Sequence, residues 1–211
     1  MARSRFDNLE EEKQEKILSE AGEEFAAKGY AEASLNAIIE RAGISKGSLY
    51  YYFDNKEDLF GTAVEVAIAK LLDVVGGFDI EGLTAENFWE EIDRFTLRVV
   101  EYADRNRWYY QLGRTFYRVR DDSEAGGATA KFFEMSQSII RRVIGRGQEL
   151  GVVREDMPMD FMVEIVMAVG EAQDRWVLSK FDEMEREELE EEILREMNIY
   201  RRILEPEEER A

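Results

Sequence analysis

Ser45, Lys46, Gly47, Ser48 and Tyr51 crowd hydroxyls, a cation and a backbone without a side chain into one short stretch. Residues of these types can hold phosphate oxygens: hydroxyls and the N–H groups at a helix start donate to them, lysine neutralises them, and glycine lets the backbone approach closely. Lys56, at the start of the next apolar run, is badly placed for a helix dipole unless an anion sits over it. Few of these groups read bases by themselves. The chemistry legible here is the binding of a polyanion rather than bond making.

Catalysis has little to work with. Histidine and cysteine are absent from the 211 residues, which removes thiol nucleophiles, disulfides, imidazole bases and most transition-metal ligand sets. No glycine-rich phosphate loop occurs, and nothing assembles a nucleophile and a base at recognisable spacing. The chain is expected not to be an enzyme and to carry no metal and no cofactor. It lacks any stretch of about 18 apolar residues, and Met1 to Asn8 hold no apolar run suited to a signal peptide. A cytoplasmic protein with no membrane partner is the expectation.

The elements that must position the phosphate-binding set are helices. Both of the 2 prolines lie in the C-terminal half, at Pro158 and Pro206, so the commonest helix breaker is missing from most of the chain. Ile17, Ala21 and Phe25 recur four apart with Leu18 beside them, predicting a first helix over 9–28 closed by Gly29. Ser34 is a good N-cap for a second, two-turn helix carrying Leu35, Ile38, Ile39 and Ala42, and Gly43 stops it. Ser45 caps a third, with Ile44 before the cap and Leu49 four positions into the helix as a hydrophobic staple. Ile38, Ala42, Ile44, Leu49 and Tyr52 fall where these two helices must cross, which leaves the polar set facing outward. Asn55 caps a fourth helix whose apolar positions run from Phe60 to Val75 before Gly76-Gly77. Beyond it, 84–105, 106–120, 127–150, 159–179 and 183–204 read as helix, for about nine in an all-α fold. The expected division is a domain carrying the phosphate-binding set over 1–54, a connecting helix over 55–77 and a larger helical lobe over 78–211.

A net charge of −19 argues against a nucleic-acid partner unless the charge is unevenly spread. It is. Residues 34–56 balance to +1, with Arg41, Lys46 and Lys56 against Glu40 and Asp54, whereas 182–211 balance to −8. The acidic end reads as a solvated helix face. Two short helices joined at Gly43 are the pattern of a helix-turn-helix, whose second helix enters the major groove.

The run from Ser34 through Leu-Asn-Ala-Ile-Ile-Glu-Arg-Ala-Gly-Ile-Ser-Lys-Gly-Ser-Leu-Tyr-Tyr-Tyr-Phe-Asp-Asn-Lys-Glu-Asp to Leu59, with Phe25 and Gly29-Tyr30 upstream, resembles the DNA-binding signature of the TetR family of regulators. That resemblance implies DNA contacts from Ser45, Lys46, Gly47, Ser48, Tyr50 and Tyr51 on the recognition helix, from Ser34 and Asn36 at the start of the second helix, and from Lys56 on the fourth. Family members often carry a histidine in the aromatic run filled here by Tyr51 and Tyr52. A tyrosine still donates to phosphate, so the change is read as tuning. Tyr52 and Phe53 are expected to be core.

The resemblance also implies that the larger lobe dimerises and senses a ligand. Phe161, Ile165, Val169, Ala172 and Trp176 form one apolar stripe, and Leu189, Ile193, Met197, Tyr200 and Leu204 another. Two such helices from each subunit would make a four-helix homodimer interface, and a short recognition helix needs a second copy to read a palindrome. Aromatics and a cation over 106–117, followed by Phe132, Phe133 and Gln137, suit the wall of a mostly apolar pocket; Tyr110, Arg114, Tyr117, Phe133, Gln137 and Glu171 are its expected lining. Asp174 is a further acidic candidate beside Glu171. The reading favoured is a repressor of a double-stranded DNA operator released by a small-molecule effector. An activator or an architectural binder would share its DNA-binding surface. The alternative of a different class is an acidic helical protein-interaction module without sequence-specific DNA binding.

Overall fold

The computed structural model describes residues 5–74, 76–106, 109, 112–113, 115–116 and 126–206, the side chains of 126–132 excepted. Eight helices are bounded among the described residues and no strand: α1 (Glu11–Glu32), α2 (Leu35–Ala42), α3 (Lys46–Tyr52), α4 (Lys56–Val74), α5 (Phe88–Arg105), α6 (Gly126–Glu149), α7 (Met159–Lys180) and α8 (Arg186–Leu204). Of the stretch expected as helix over 106–120, the described residues Tyr109, Leu112, Gly113, Thr115 and Phe116 are helical.

Two compact units divide the chain: Met1–Leu71 with Asn106–Phe132, and Leu72–Arg105 with Phe133–Ala211. This differs from the division expected at residue 78. Thr115 shows one reason for the difference: it is buried and its hydroxyl donates to the Phe25 carbonyl at 3.0 Å, which ties its segment to α1.

In the first unit, Ile17, Leu18, Ala21 and Phe25 of α1 are buried, as their spacing requires. The helix departs from regular geometry at Gly29, with φ 75° and ψ 169°, before closing at Glu32. A side chain at that φ would be strained; Gly29 interrupts the helix where it was expected to close it, and one short further turn follows. Phe60 of α4 meets Phe25 edge-on at 5.0 Å and Tyr30 at 5.4 Å, and Lys70 pairs with Glu15 at 2.7 Å. The Asn55 carboxamide accepts the Asp58 N–H at 2.8 Å while the Asp58 carboxylate accepts the Asp54 N–H at 3.0 Å. That reciprocal cap starts α4 at the expected place.

The second unit is built on Ile80, Leu83, Phe88, Ile144, Val153, Met162, Val163 and Leu204. Helix α8 packs on both α5 and α7. Arg201 pairs with Asp93 of α5 at 2.5 Å, and the Tyr200 hydroxyl donates to Gln173 of α7 at 3.0 Å. Burial, with Asp174 and Glu196 nearby, pushes the Tyr200 phenol well above its ordinary range, so it acts as a neutral hydrogen-bond donor. Among the described residues no helix is long and apolar enough to cross a membrane.

Candidate nucleic-acid interface

Helix α2 is held at both ends by the devices its sequence carries. Ser34 Oγ accepts the Ala37 N–H at 3.3 Å. Gly43 takes the left-handed conformation, φ 67° and ψ 32°, and the Ile44 N–H returns to the Ile39 carbonyl at 3.1 Å. This closure turns the chain sharply enough for Ser45 to begin α3 at once. Ser45 Oγ accepts the Ser48 N–H at 3.0 Å and lies 2.8 Å from Ser48 Oγ. Beneath these caps Ile38, Ala42 and Leu49 are buried and Ile44 is half-buried, so the crossing faces are those expected.

The outer face of α3 is open. Ser45, Lys46 and Gly47 are exposed and Ser48 is half-buried; Tyr50 and Tyr51 keep 50% and 53% of their surface in solvent. Exposed tyrosines on a helix whose opposite side is packed suit contact with a partner, because the rings bring both apolar surface and a donor. Phe53 is buried and Tyr52 half-buried, which makes them core, as expected. Ser34 and Asn36 are exposed at the start of α2.

The cations are divided differently from the sequence-level count. Arg41 donates to Glu20 Oε2 and to Glu24 Oε2, both at 2.9 Å, and is spent inside the protein. Glu24 is buried at 5% exposure, and its other oxygen accepts the Ser34 N–H at 2.9 Å. Burial opposes the charge on Glu24, but the Ser34 N–H, the Arg41 hydrogen bond and the charges of Arg41 and Lys28 outweigh it and hold the carboxyl below its ordinary value. This one side chain fastens α2 to α1. It was missed because a glutamate on a helix rich in Glu and Lys reads as surface; the signal was Glu20 and Glu24 four apart beside the buried stripe. Lys56 donates to the Ala31 carbonyl at 2.9 Å and lies 5.2 Å over the Tyr30 ring. Desolvation lowers its pKa, against the charges of Glu32 and Glu24. It clamps the chain after Gly29. Lys46 forms no ion pair with a described residue, which leaves its charge available.

The remaining expected sites divide three ways. Tyr110, Arg114 and Tyr117 lie outside the described residues. Phe133 is half-buried and Gln137 exposed, four apart on α6, while Glu171 is half-buried on α7 and paired with Arg175 at 3.0 Å. On the expected dimer stripes, Phe161 is 51% exposed, Ala172 is exposed, and Ile165, Val169 and Trp176 are half-buried, so the α7 stripe is a surface. The α8 stripe is not. Leu189, Ile193, Met197 and Leu204 are buried within the protomer, and Tyr200 turns inward to Gln173. The exposed positions of α8 include Arg195, Ile199 and Arg202.

Two short helices set at a left-handed glycine turn, the second presenting a polar, partly cationic outer face, define a helix-turn-helix DNA-binding regulator. Residues 17–63 match the family model described as bacterial regulatory proteins, tetR family. The chain is 25% identical over 150 residues to the HTH-type transcriptional repressor AcnR of Corynebacterium diphtheriae, covering 71% of this chain and 73% of that one. It is 36% identical over 81 residues to the HTH-type transcriptional regulator YvdT of Bacillus subtilis, covering 38% and 40%. The fold is shared with the transcriptional regulator FadR from Bacillus subtilis in complex with stearoyl-CoA, at TM-score 0.70 and 17% identity, over 86% of this chain and 96% of that one.

Proposed function

We propose that the protein is a homodimeric repressor whose paired α3 helices read a palindromic operator, and that a small molecule bound by the C-terminal lobe releases it. The observation that carries this reading is the outer face of α3, where Lys46, Ser48, Tyr50 and Tyr51 stand out from a helix locked on its other side by Leu49 and Phe53. Residues Ser34, Asn36, Ser45, Gly47 and Lys56 complete the contact set. Repression is supported by the likeness to AcnR. Effector binding is supported by the shared fold with a regulator in complex with stearoyl-CoA.

Dimerisation is assigned to the α7 stripe of Phe161, Ile165, Val169, Ala172 and Trp176, with the open side of α8 at Ile199 beside it. An apolar helix face of this kind is what a two-fold partner would bury. Phe133, Gln137 and Glu171, all in the second unit, stay proposed for the effector site. Helix α4 passes from one unit to the other at Leu71–Leu72, one of three places where the chain crosses between them, and is a covalent route for the coupling. A ligand that stabilises another spacing of the two recognition helices weakens binding by that difference alone.

Selection of duplexes from a random-sequence pool by the purified protein tests the reading. The expected product is a palindrome whose half-sites are centred about one helical turn apart. No enrichment, or binding that ignores both Lys46→Ala and the salt concentration, is the outcome expected of an acidic interaction module and would overturn it.

A further inference from the structure

The cation count leaves the recognition face short of positive charge. Arg41 is committed to Glu20 and Glu24, and Lys56 is tied to the Ala31 carbonyl. On a chain of net charge −19, Lys46 is the one described cation of α3 itself.

A second cation reaches the same face from outside the helix-turn-helix. Phe6 is buried against Phe53 at 4.9 Å and Tyr52 at 6.2 Å. The turn that follows is closed by the Leu9 N–H to the Phe6 carbonyl at 2.9 Å. Gln14 of α1 donates to the carbonyls of Asp7 at 3.1 Å and Leu9 at 2.9 Å. The segment is therefore pinned both to α1 and to the C-terminal end of α3. Arg5 leaves this anchor exposed, with its guanidinium carbon 4.4 Å over the Tyr51 ring. It forms no ion pair with a described carboxylate. A guanidinium stacked on a ring keeps its N–H edge free to donate, so the contact orients the group without consuming it.

We infer that Arg5, held over Tyr51 by the buried Phe6 anchor, is a second phosphate-binding cation of the recognition face and contacts the operator backbone beside α3. The inference rests on the DNA-binding reading above. The anchor matters because an arm fixed before binding loses less freedom when the DNA arrives.

The test measures affinity for a labelled duplex selected by the wild-type protein, across a salt series, for Arg5→Ala, Arg5→Lys and Lys46→Ala. Each dimer would lose two phosphate contacts in Arg5→Ala, lowering the slope of log K against log salt by about 2 and affinity about thirtyfold near ~0.1 M salt. The melting temperature should not change, because Arg5 is exposed. Arg5→Lys should keep the slope close to wild type, which a purely structural role for the stack would not produce. If Arg5→Ala binds with wild-type slope while Lys46→Ala does not, the inference is overturned and the DNA-binding reading stands. An affinity loss with unchanged slope also overturns it, since base edges rather than phosphates would then be the target. If the wild-type protein shows no salt-dependent binding to any duplex, both fail together.

Discussion

At the scale of single residues, the interface is decided by which charges the protein keeps for itself. Glu24 is the buried member of the network that holds Ser34 and Arg41. Glu24→Ala strands the Ser34 N–H and one arm of Arg41, and is expected to cost about 1–3 kcal/mol in urea unfolding. Its pH dependence has a definite sign. The folded carboxyl titrates below its unfolded counterpart, so its stabilisation is complete above the ordinary carboxylate range. Below that range it is lost as pH falls through the folded pKa. Wild type and Glu24→Gln should therefore differ in urea midpoint at pH 7 and converge on the acid side of about pH 4. Lys46→Ala removes an exposed cation and should leave the midpoint alone. It should lower the salt slope of DNA binding by about 2 per dimer.

At the scale of elements, each short helix is defined by its ends. Helix α3 is too brief to be stable alone, and its start rests on one hydroxyl. Ser45→Ala removes the bond to the Ser48 N–H, with an expected loss of about 0.5–2 kcal/mol in thermal or urea unfolding. DNA affinity should fall with it, because the contact residues follow the cap directly. Helices α7 and α8 show a different rule, that an apolar stripe does not announce what will cover it. Ile193 is 1% exposed inside the protomer; Ile193→Ala should cost about 2–5 kcal/mol and leave the association constant of the subunits unchanged. Val169→Glu on the open α7 stripe should do the reverse. It is expected to give a folded monomer in sedimentation, with operator affinity reduced to that of one half-site.

At the scale of the whole molecule, a strongly acidic protein is expected to bind a polyanion through the few cations it leaves without an ion-pair partner among the described residues. Arg5 and Lys46 reach the α3 face from two parts of the first unit, and a dimer would present the set twice. Coupling to an effector of about 1–3 kcal/mol changes operator affinity roughly five- to 150-fold. Thermodynamic linkage makes that factor reciprocal. A molecule that weakens operator affinity by some ratio must itself bind more weakly by the same ratio when the operator is present. Calorimetric titration with and without the selected duplex measures both sides; unequal ratios would show that release does not run through two-site coupling.

The helix-turn-helix was readable from the chain because its signals are local. Ser34, Gly43, Ser45 and Asn55 each act within a few residues, through a cap hydroxyl, a left-handed turn or a side-chain amide, and each sits where sequence placed it. The open face of α3 and the apolar stripe of α7 followed from helical periodicity for the same reason. Periodicity says that a face is apolar and residue type says that a side chain is charged, but neither names the neighbour. Only the folded chain brought Glu20 and Glu24 against Arg41, laid Arg5 over Tyr51, and turned the α8 stripe toward α5 and α7. Such pairings join segments far apart along the chain and are selected by packing, which no local pattern encodes.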